Sequence, residues 1–245
     1  MLFRSDCTTD VERAACTTIR LMESTGVTTA TFINNPENFT GKTFDCQGYT
    51  ITGGATTFYG FKLGASNKVS KNSIIKNCQF LSYDDEANSQ AAAIYMHLNA
   101  SNITIQNVNA TGCNYGLWFN YSSGNTILNF NTTGNSDGGN LIYLDNSQNN
   151  TFTNIIALSQ VGSGSGIILT TSSNNNFTNV TSNLHSTFGV QLTSTSNNNL
   201  FNNVTAINNS YYGFYITSNS INNVINNLSA IDNTLIDFYV DDIGS

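Results

Sequence analysis

Apolar and polar residues alternate over short runs along most of the chain, as in Gly213-Phe214-Tyr215-Ile216 and Val204-Thr205-Ala206. That is the period of a strand, whose successive side chains point to opposite faces, and not of a helix. The runs also recur. An apolar-x-Asn-apolar motif stands at Ile75-Lys76-Asn77-Cys78, Ile105-Gln106-Asn107-Val108, Ile127-Leu128-Asn129-Phe130, Phe152-Thr153-Asn154-Ile155, Phe177-Thr178-Asn179-Val180, Phe201-Asn202-Asn203-Val204 and Ile225-Asn226-Asn227-Leu228. From the second copy on, the copies are spaced by about 22 to 25 residues.

A second motif keeps the same beat, with a small residue three positions before an apolar one: Gly60/Leu63, Ala93/Met96, Gly116/Phe119, Gly166/Leu169, Gly189/Leu192 and Gly213/Ile216. Leu141/Leu144 and Asp237/Val240 keep the spacing without the small residue. Six residues further on lies an Asn series at Asn102, Asn125, Asn150, Asn175, Asn198 and Asn222. Short strands with polar turns would also fit a sandwich or a barrel. Those folds give no reason for one motif to return in one register, whereas a solenoid requires it. The pattern therefore predicts an all-β, single-stranded right-handed parallel β-helix of about eight coils, each made by roughly 24 residues.

In such a coil, equivalent residues stack about 4.8 Å apart. Asn77, Asn107, Asn129, Asn154, Asn179, Asn203 and Asn227 would then form one column at a corner, as structural residues. Asn suits a corner because it tolerates left-handed backbone angles and its amide can bond the next Asn in the column. The flanking columns, Ile105 to Ile225 and Val108 to Leu228, would fill the interior. The segment Asp10–Met22 has helical spacing at Val11, Ala15, Ile19 and Met22, so a short amphipathic capping helix is expected within an N-terminal cap of residues 1–36. Residues 37–245 are expected to form the β-helix, which stops in mid-coil at Phe238–Ser245, as though further repeats or another domain follow in the natural protein.

Composition narrows the partners. About 40 of the 245 residues are Asn, but 39% are hydrophobic and only 9% charged, which argues against disorder. A formal charge of −7 with eight Lys and Arg leaves no basic surface for nucleic acid. No apolar window long enough to span a bilayer exists, and the start lacks the apolar core of a secretory signal. Two locations fit: the cytoplasm, or the exterior or cell surface as part of a longer exported chain, and the composition favours the second. Of the five cysteines, Cys7 and Cys16 are close enough to staple the first turn in an oxidising compartment, with free buried thiols as the alternative. None forms a CxxC pair, so no structural zinc is expected.

The passages Thr43-Phe44-Asp45-Cys46-Gln47-Gly48-Tyr49-Thr50-Ile51-Thr52-Gly53, Asn72-Ser73-Ile74-Ile75-Lys76-Asn77-Cys78 and Ser196-Asn197-Asn198-Asn199-Leu200-Phe201-Asn202-Asn203 resemble the opening and repeating units of the NosD-type, "carbohydrate-binding and sugar hydrolase" β-helix class. The likeness runs over roughly residues 40 to 240 and implies the solenoid fold. For function it implies a choice between enzymes, adhesins and surface proteins.

Polysaccharide cleavage needs clustered carboxylates, often with Ca²⁺ or a His beside them. The candidates are Asp84-Asp85-Glu86 in the longest insertion, Asp137 and Asp145 in neighbouring coils, and Asp232, Asp237, Asp241 and Asp242 near the C-terminus. A solvated acidic loop is the plainer reading of the first group. Likeness to polygalacturonases would call for Gly-His-Gly and Arg-Ile-Lys motifs, which neither His97 nor His185 carries; Arg4, Arg13 and Arg20 all precede the coils. Lys42, Lys62, Lys68, Lys71 and Lys76 are the basic residues left for a lyase. Copper ligands are too few, and no catalytic residue, metal or cofactor is assigned.

Many Asn residues also start N-x-Ser/Thr sequons. Asn179, Asn203 and Asn227 are expected to face inward, and Asn38 or Asn208 to be exposed. The binding candidates are Tyr95, Trp118, Tyr143, Tyr215 and Tyr239, each just before an inward apolar position and so turned outward on neighbouring coils, with gaps at Ile168 and Gln191. They suggest a strip on which sugar rings or a neighbouring surface protein could sit. The chain thus reads as a non-catalytic extracellular or cell-surface module, structural or adhesin-like, that binds glycan along this strip. The alternative is a polysaccharide lyase or hydrolase of the pectin-lyase-like superfamily.

Overall fold

The computed structural model describes the backbone of residues 3–5 and residues 17–36, 39–54, 58–84, 90–134, 139–159, 164–217 and 219–241. The described residues build a parallel β-solenoid of about eight turns with two main sheets. The larger sheet runs from Thr18–Leu21 through Thr43–Asp45 and Ile74–Lys76 to the long strands Thr104–Thr111, Thr126–Thr133, Thr151–Leu158, Asn176–Asn183, Leu200–Ile207 and Val224–Ile231. The second sheet stacks Ile33–Asn34, Tyr59–Leu63, Ala92–Met96, Tyr115–Asn120, Ile142–Asp145, Ile167–Thr170, Val190–Thr193, Tyr212–Ile216 and Ile236–Val240. Pairing is in register from coil to coil, so that Phe152, Phe177, Phe201 and Ile225 are successive partners. Along this column the Phe152, Phe177 and Phe201 rings stack at 4.4 and 4.7 Å with interplanar angles of 5° and 3°.

Each long strand is bent at its motif Asn. Asn77, Asn107, Asn129, Asn154, Asn179, Asn203 and Asn227 all take φ between 53° and 56°, a left-handed angle at which Asn is among the least strained non-glycine residues. Their amides form a ladder in which each Nδ2 donates to the Oδ1 of the preceding coil, at 3.2 Å for Asn107 to Asn77 and 2.7 Å for Asn227 to Asn203. The sequence expectation that Asn179, Asn203 and Asn227 point inward is corrected here. At a left-handed corner residue the side chain stays on the solvent side, and all three are exposed.

The inward amides form a different ladder, made of Asn125, Asn150, Asn175, Asn199 and Asn223. The four from Asn150 on each accept, through Oδ1, both the backbone N–H and the Nδ2–H of the Asn one coil earlier; for Asn175 these bonds from Asn150 are 2.9 and 3.1 Å. Asn198 and Asn222, which the sequence grouped with Asn150 and Asn175, instead sit one residue earlier with left-handed angles of 55° and 58°. One extra turn residue explains the slip: Ser194 and Thr195 are both left-handed where the previous coil has only Thr171. The inner ladder donates towards later coils, opposite to the outer one. Beside it runs a buried serine ladder, Ser122, Ser147, Ser172, Ser196 and Ser220.

The small-residue motif has an equally direct cause. Gly60, Ala93, Gly116, Gly166, Gly189 and Gly213 are buried, and at each glycine of the set an added Cβ would meet a neighbouring atom closer than 3 Å. A Cβ on Gly189 would lie 2.5 Å from the Gly213 carbonyl oxygen and 3.1 Å from Ala206 Cβ. At the adjoining corner His185 takes the place that Asn209 and Asn233 fill in the next two coils, and its backbone N–H donates to Asn209 Oδ1. Its Nε2 lies 3.1 Å from the Ala157 carbonyl, and burial pushes its pKa down from 6.5 to about 4. The unfolded chain therefore binds a proton that the folded chain refuses. Stability is full above pH 6.5 and falls as the pH drops through the window to 4, by about 3 kcal/mol. Urea midpoints at pH 7 and 4.5 should show this loss, and His185→Asn should remove it.

One N-terminal expectation changes. Thr18–Leu21, the end of the expected capping helix, is a strand paired in parallel with Thr43–Asp45 and antiparallel with Phe3–Ser5. Its period-2 pattern, with Ile19 and Leu21 buried and Arg20 exposed, matches the open sheet edge it covers. The rest of the expected helix, and Cys7 and Cys16 with it, lies outside the described residues. Among the described residues a disulfide joins Cys46 to Cys78 across two stacked coils, with Cα atoms 4.8 Å apart. Cys113 is free and buried.

Candidate functional site

The second sheet carries the aromatic candidates on its outer side. In-register pairing places Lys62, Tyr95, Trp118, Tyr143, Ile168, Gln191, Tyr215 and Tyr239 in one column. A second column, missed in the sequence, lies three residues earlier and holds Tyr59, Tyr115, Phe188 and Tyr212. Counting back three from each outward position would have found it. The two columns merge into two bands separated by the Ile168 row.

In the first band Tyr59 and Tyr95 stack at 4.7 Å and 18°, Tyr95 and Trp118 lie at 4.7 Å, Tyr115 and Trp118 at 5.0 Å, and Trp118 and Tyr143 at 6.3 Å. In the second, Phe188 and Tyr215 stack at 5.3 Å, Tyr212 and Tyr215 at 4.7 Å, and Tyr215 and Tyr239 at 5.5 Å. The rings therefore pack against one another, stacked or tilted, along each band. Tyr95 is only 8% exposed. The consequence is a surface suited to edge contacts and hydrogen bonds, with ring faces least covered where Trp118 and Tyr143 are furthest apart.

Polar groups flank the first band. Lys62 Nζ lies 5.4 Å from the Tyr59 ring centre, a cation–π distance. His97 is 5.7 Å from Tyr95, and its pKa is lowered by burial and by Lys62. Asn120 Nδ2 donates to the Tyr95 hydroxyl at 3.4 Å and is the register partner of Asp145. Burial raises the phenol of Tyr59 to about 12, with Tyr95 and Tyr115 adding to it. All these phenols are neutral donors at physiological pH.

The acidic candidates among the described residues do not converge. Asp85, Glu86, Asp137 and Asp242 lie outside the described residues. Asp237 Oδ1 accepts both N–H groups of Asn233, and Asp241 Oδ2 accepts the Thr217 hydroxyl, so both serve turns between coils. Among the described residues no three His, Cys, Asp or Glu side chains gather to hold a metal ion, and no helix is long and apolar enough to cross a membrane.

A concavity lies elsewhere, along the outward Asn corner of the larger sheet. One furrow of about 510 Å³ is lined by Asn129, Asn131, Asn154, Ile156, Asn179, Thr181, Asn203 and Thr205, with Ile155 and Val180. A second, of about 390 Å³, is lined by Gly48, Asn77, Gln79, Asn107 and Asn109 and shares Asn129 and Asn131 with the first. The sequence reading assigned the Asn column to structure alone. Period and polarity give the column, but whether its corner is concave depends on the angle between strand halves.

The comparisons agree with this architecture. Residues 92–235 match the model of the family described as right-handed β-helix region. Among solved structures, the chain is similar to the periplasmic alginate epimerase AlgG, with a TM-score of 0.55 and 15% identity. The likeness covers 86% of this chain and 57% of the epimerase chain. No protein of curated function matches the sequence. With its matched repeats stacked coil on coil in register, the chain belongs to the right-handed β-helix family.

Proposed function

We propose that the protein is a non-catalytic, extracytoplasmic β-helix module that binds polysaccharide along the aromatic face of the second sheet, in a structural or adhesin-like role. The observation that carries this reading is the first band, where Tyr59, Tyr95, Trp118 and Tyr143 are held against one another on a rigid sheet beside Lys62, His97, Asn120 and Asp145. Side chains already ordered by their neighbours lose little entropy when a ligand settles on them. The Cys46–Cys78 bridge supports an oxidising compartment outside the cytoplasm, and the structural likeness to a periplasmic protein is consistent with it. Replacing both Trp118 and Tyr143 with alanine should weaken retention in affinity electrophoresis on a polysaccharide panel at least tenfold. Unchanged retention, or none by the wild type, removes the reading.

A polysaccharide-modifying enzyme is the second reading. It is favoured by the neutral His97 beside Lys62 and Tyr95, since an unprotonated imidazole can take a proton next to a carboxylate that a lysine neutralises. Incubation with alginate or polygalacturonate, with and without Ca²⁺, tests it by ultraviolet absorbance of unsaturated products and by reducing ends. Silence in every condition leaves the binding module alone.

A further inference from the structure

We infer that the furrow along the outward Asn corner is a second carbohydrate site, independent of the aromatic face, that takes an uncharged, extended glycan chain. Its two cavities share Asn129 and Asn131, so one continuous track runs along the solenoid axis. Among the described residues the track is lined by amides, hydroxyls, Gly48, Ile155, Ile156 and Val180, with no charged side chain in its lining. A charged ligand would lose hydration there without gaining a partner of opposite sign, whereas hydroxyls exchange water for amides at little cost.

The ladder makes those amides a regular array. A carboxamide has two N–H donors and an oxygen with two lone pairs. In the ladder, Asn154 and Asn179 each give one N–H and accept one, at 2.8 to 3.0 Å, which leaves a donor and an acceptor site over. Because its neighbours hold each amide, the spare groups are preordered and recur once per coil, about 4.8 Å apart. A second amide rail, Asn131 to Asn109 to Gln79, borders the track through the earlier coils. A single small molecule could engage one step of this array. A polymer that repeats its hydroxyls along its length engages several, so affinity should grow with chain length. Ile156, 38% exposed between Asn131 and Thr181 in the coil stack, supplies an apolar patch that fits the C–H face of a sugar ring.

The test uses the whole chain, with mannan and cello-oligosaccharides as neutral probes and alginate as the acidic one. Thr181→Arg and, separately, Thr205→Arg fill the track from outward surface positions; circular dichroism and urea midpoints establish that each variant folds. Wild type and the Trp118→Ala/Tyr143→Ala double variant should both bind a neutral probe, more tightly as the oligosaccharide lengthens. Both arginine variants should lose at least tenfold of that affinity, with alginate binding unaffected. Neutral-probe binding that survives both arginine substitutions, that disappears in the aromatic variant, or that is absent from the wild type overturns the proposal. The aromatic reading fails by a different result, namely wild-type retention of the double variant on every polysaccharide.

Discussion

Replacing Asn175 with alanine is expected to lower the unfolding free energy by about 4 kcal/mol, whereas Asn179→Ala, four residues away, should cost about 1 kcal/mol. Asn175 is buried and sits mid-ladder. It accepts two bonds from Asn150 and donates to the Ser147 carbonyl and to Asn199 Oδ1. Alanine would leave the Asn150 backbone N–H and one of its two amide N–H groups buried without an acceptor, the other still reaching the Ser122 carbonyl, and each such orphan costs about 1–3 kcal/mol. Asn179 is exposed, so water replaces its lost bonds, and what remains is the strain of a left-handed alanine. Urea denaturation of the two variants side by side measures the contrast. Equal losses would mean that the inner ladder is no more important than the outer one.

Gly189→Val should be the other severe change, at about 3–5 kcal/mol, because the added atoms meet backbone and not a yielding side chain. The nearest obstacle, the Gly213 carbonyl oxygen, belongs to the next coil and is part of the sheet that joins the two. Relief requires the coils to part. In a solenoid, where each repeat touches only its neighbours, that strain divides the stack locally. Amide hydrogen exchange should therefore quicken first in Val190–Thr193 and Tyr212–Ile216. Gly189→Ala should already destabilise the same two coils, because the Cβ alone falls 2.5 Å from the Gly213 carbonyl oxygen, and valine adds two methyl groups to that clash. Uniform loss of protection along the chain would contradict the local account.

How much of this was legible in the sequence follows from which forces leave a period. Columns of buried side chains and the left-handed corner do, so the motif at Asn107 through Asn227, the Gly column and the outward Tyr95, Trp118 and Tyr143 could all be counted off. The inner Asn ladder was read correctly at Asn125, Asn150 and Asn175 and then lost, because runs such as Asn197-Asn198-Asn199 offer the same residue in every register and one extra turn residue goes unseen. Thr18–Leu21 shows a different limit. Four residues fit helix or strand about equally, and the open edge of Thr43–Asp45 decides between them. The Cys46–Cys78 pair is adjacent only once an irregular early coil is closed. The furrow was invisible because concavity is a property of angles between segments, which composition and spacing do not encode.

The opposed direction of the two asparagine ladders bears on how such a molecule can grow. Outer amides point their N–H ends towards the first coil, whereas an inner amide such as that of Asn175 gives one N–H towards the last coil and the other to a serine carbonyl of the coil before. An α-helix adds its peptide dipoles and ends with a net fraction of a charge at each terminus. Here the two ladders run in opposite senses, so a growing tip offers the next turn amide oxygens from one ladder and amide N–H groups from the other.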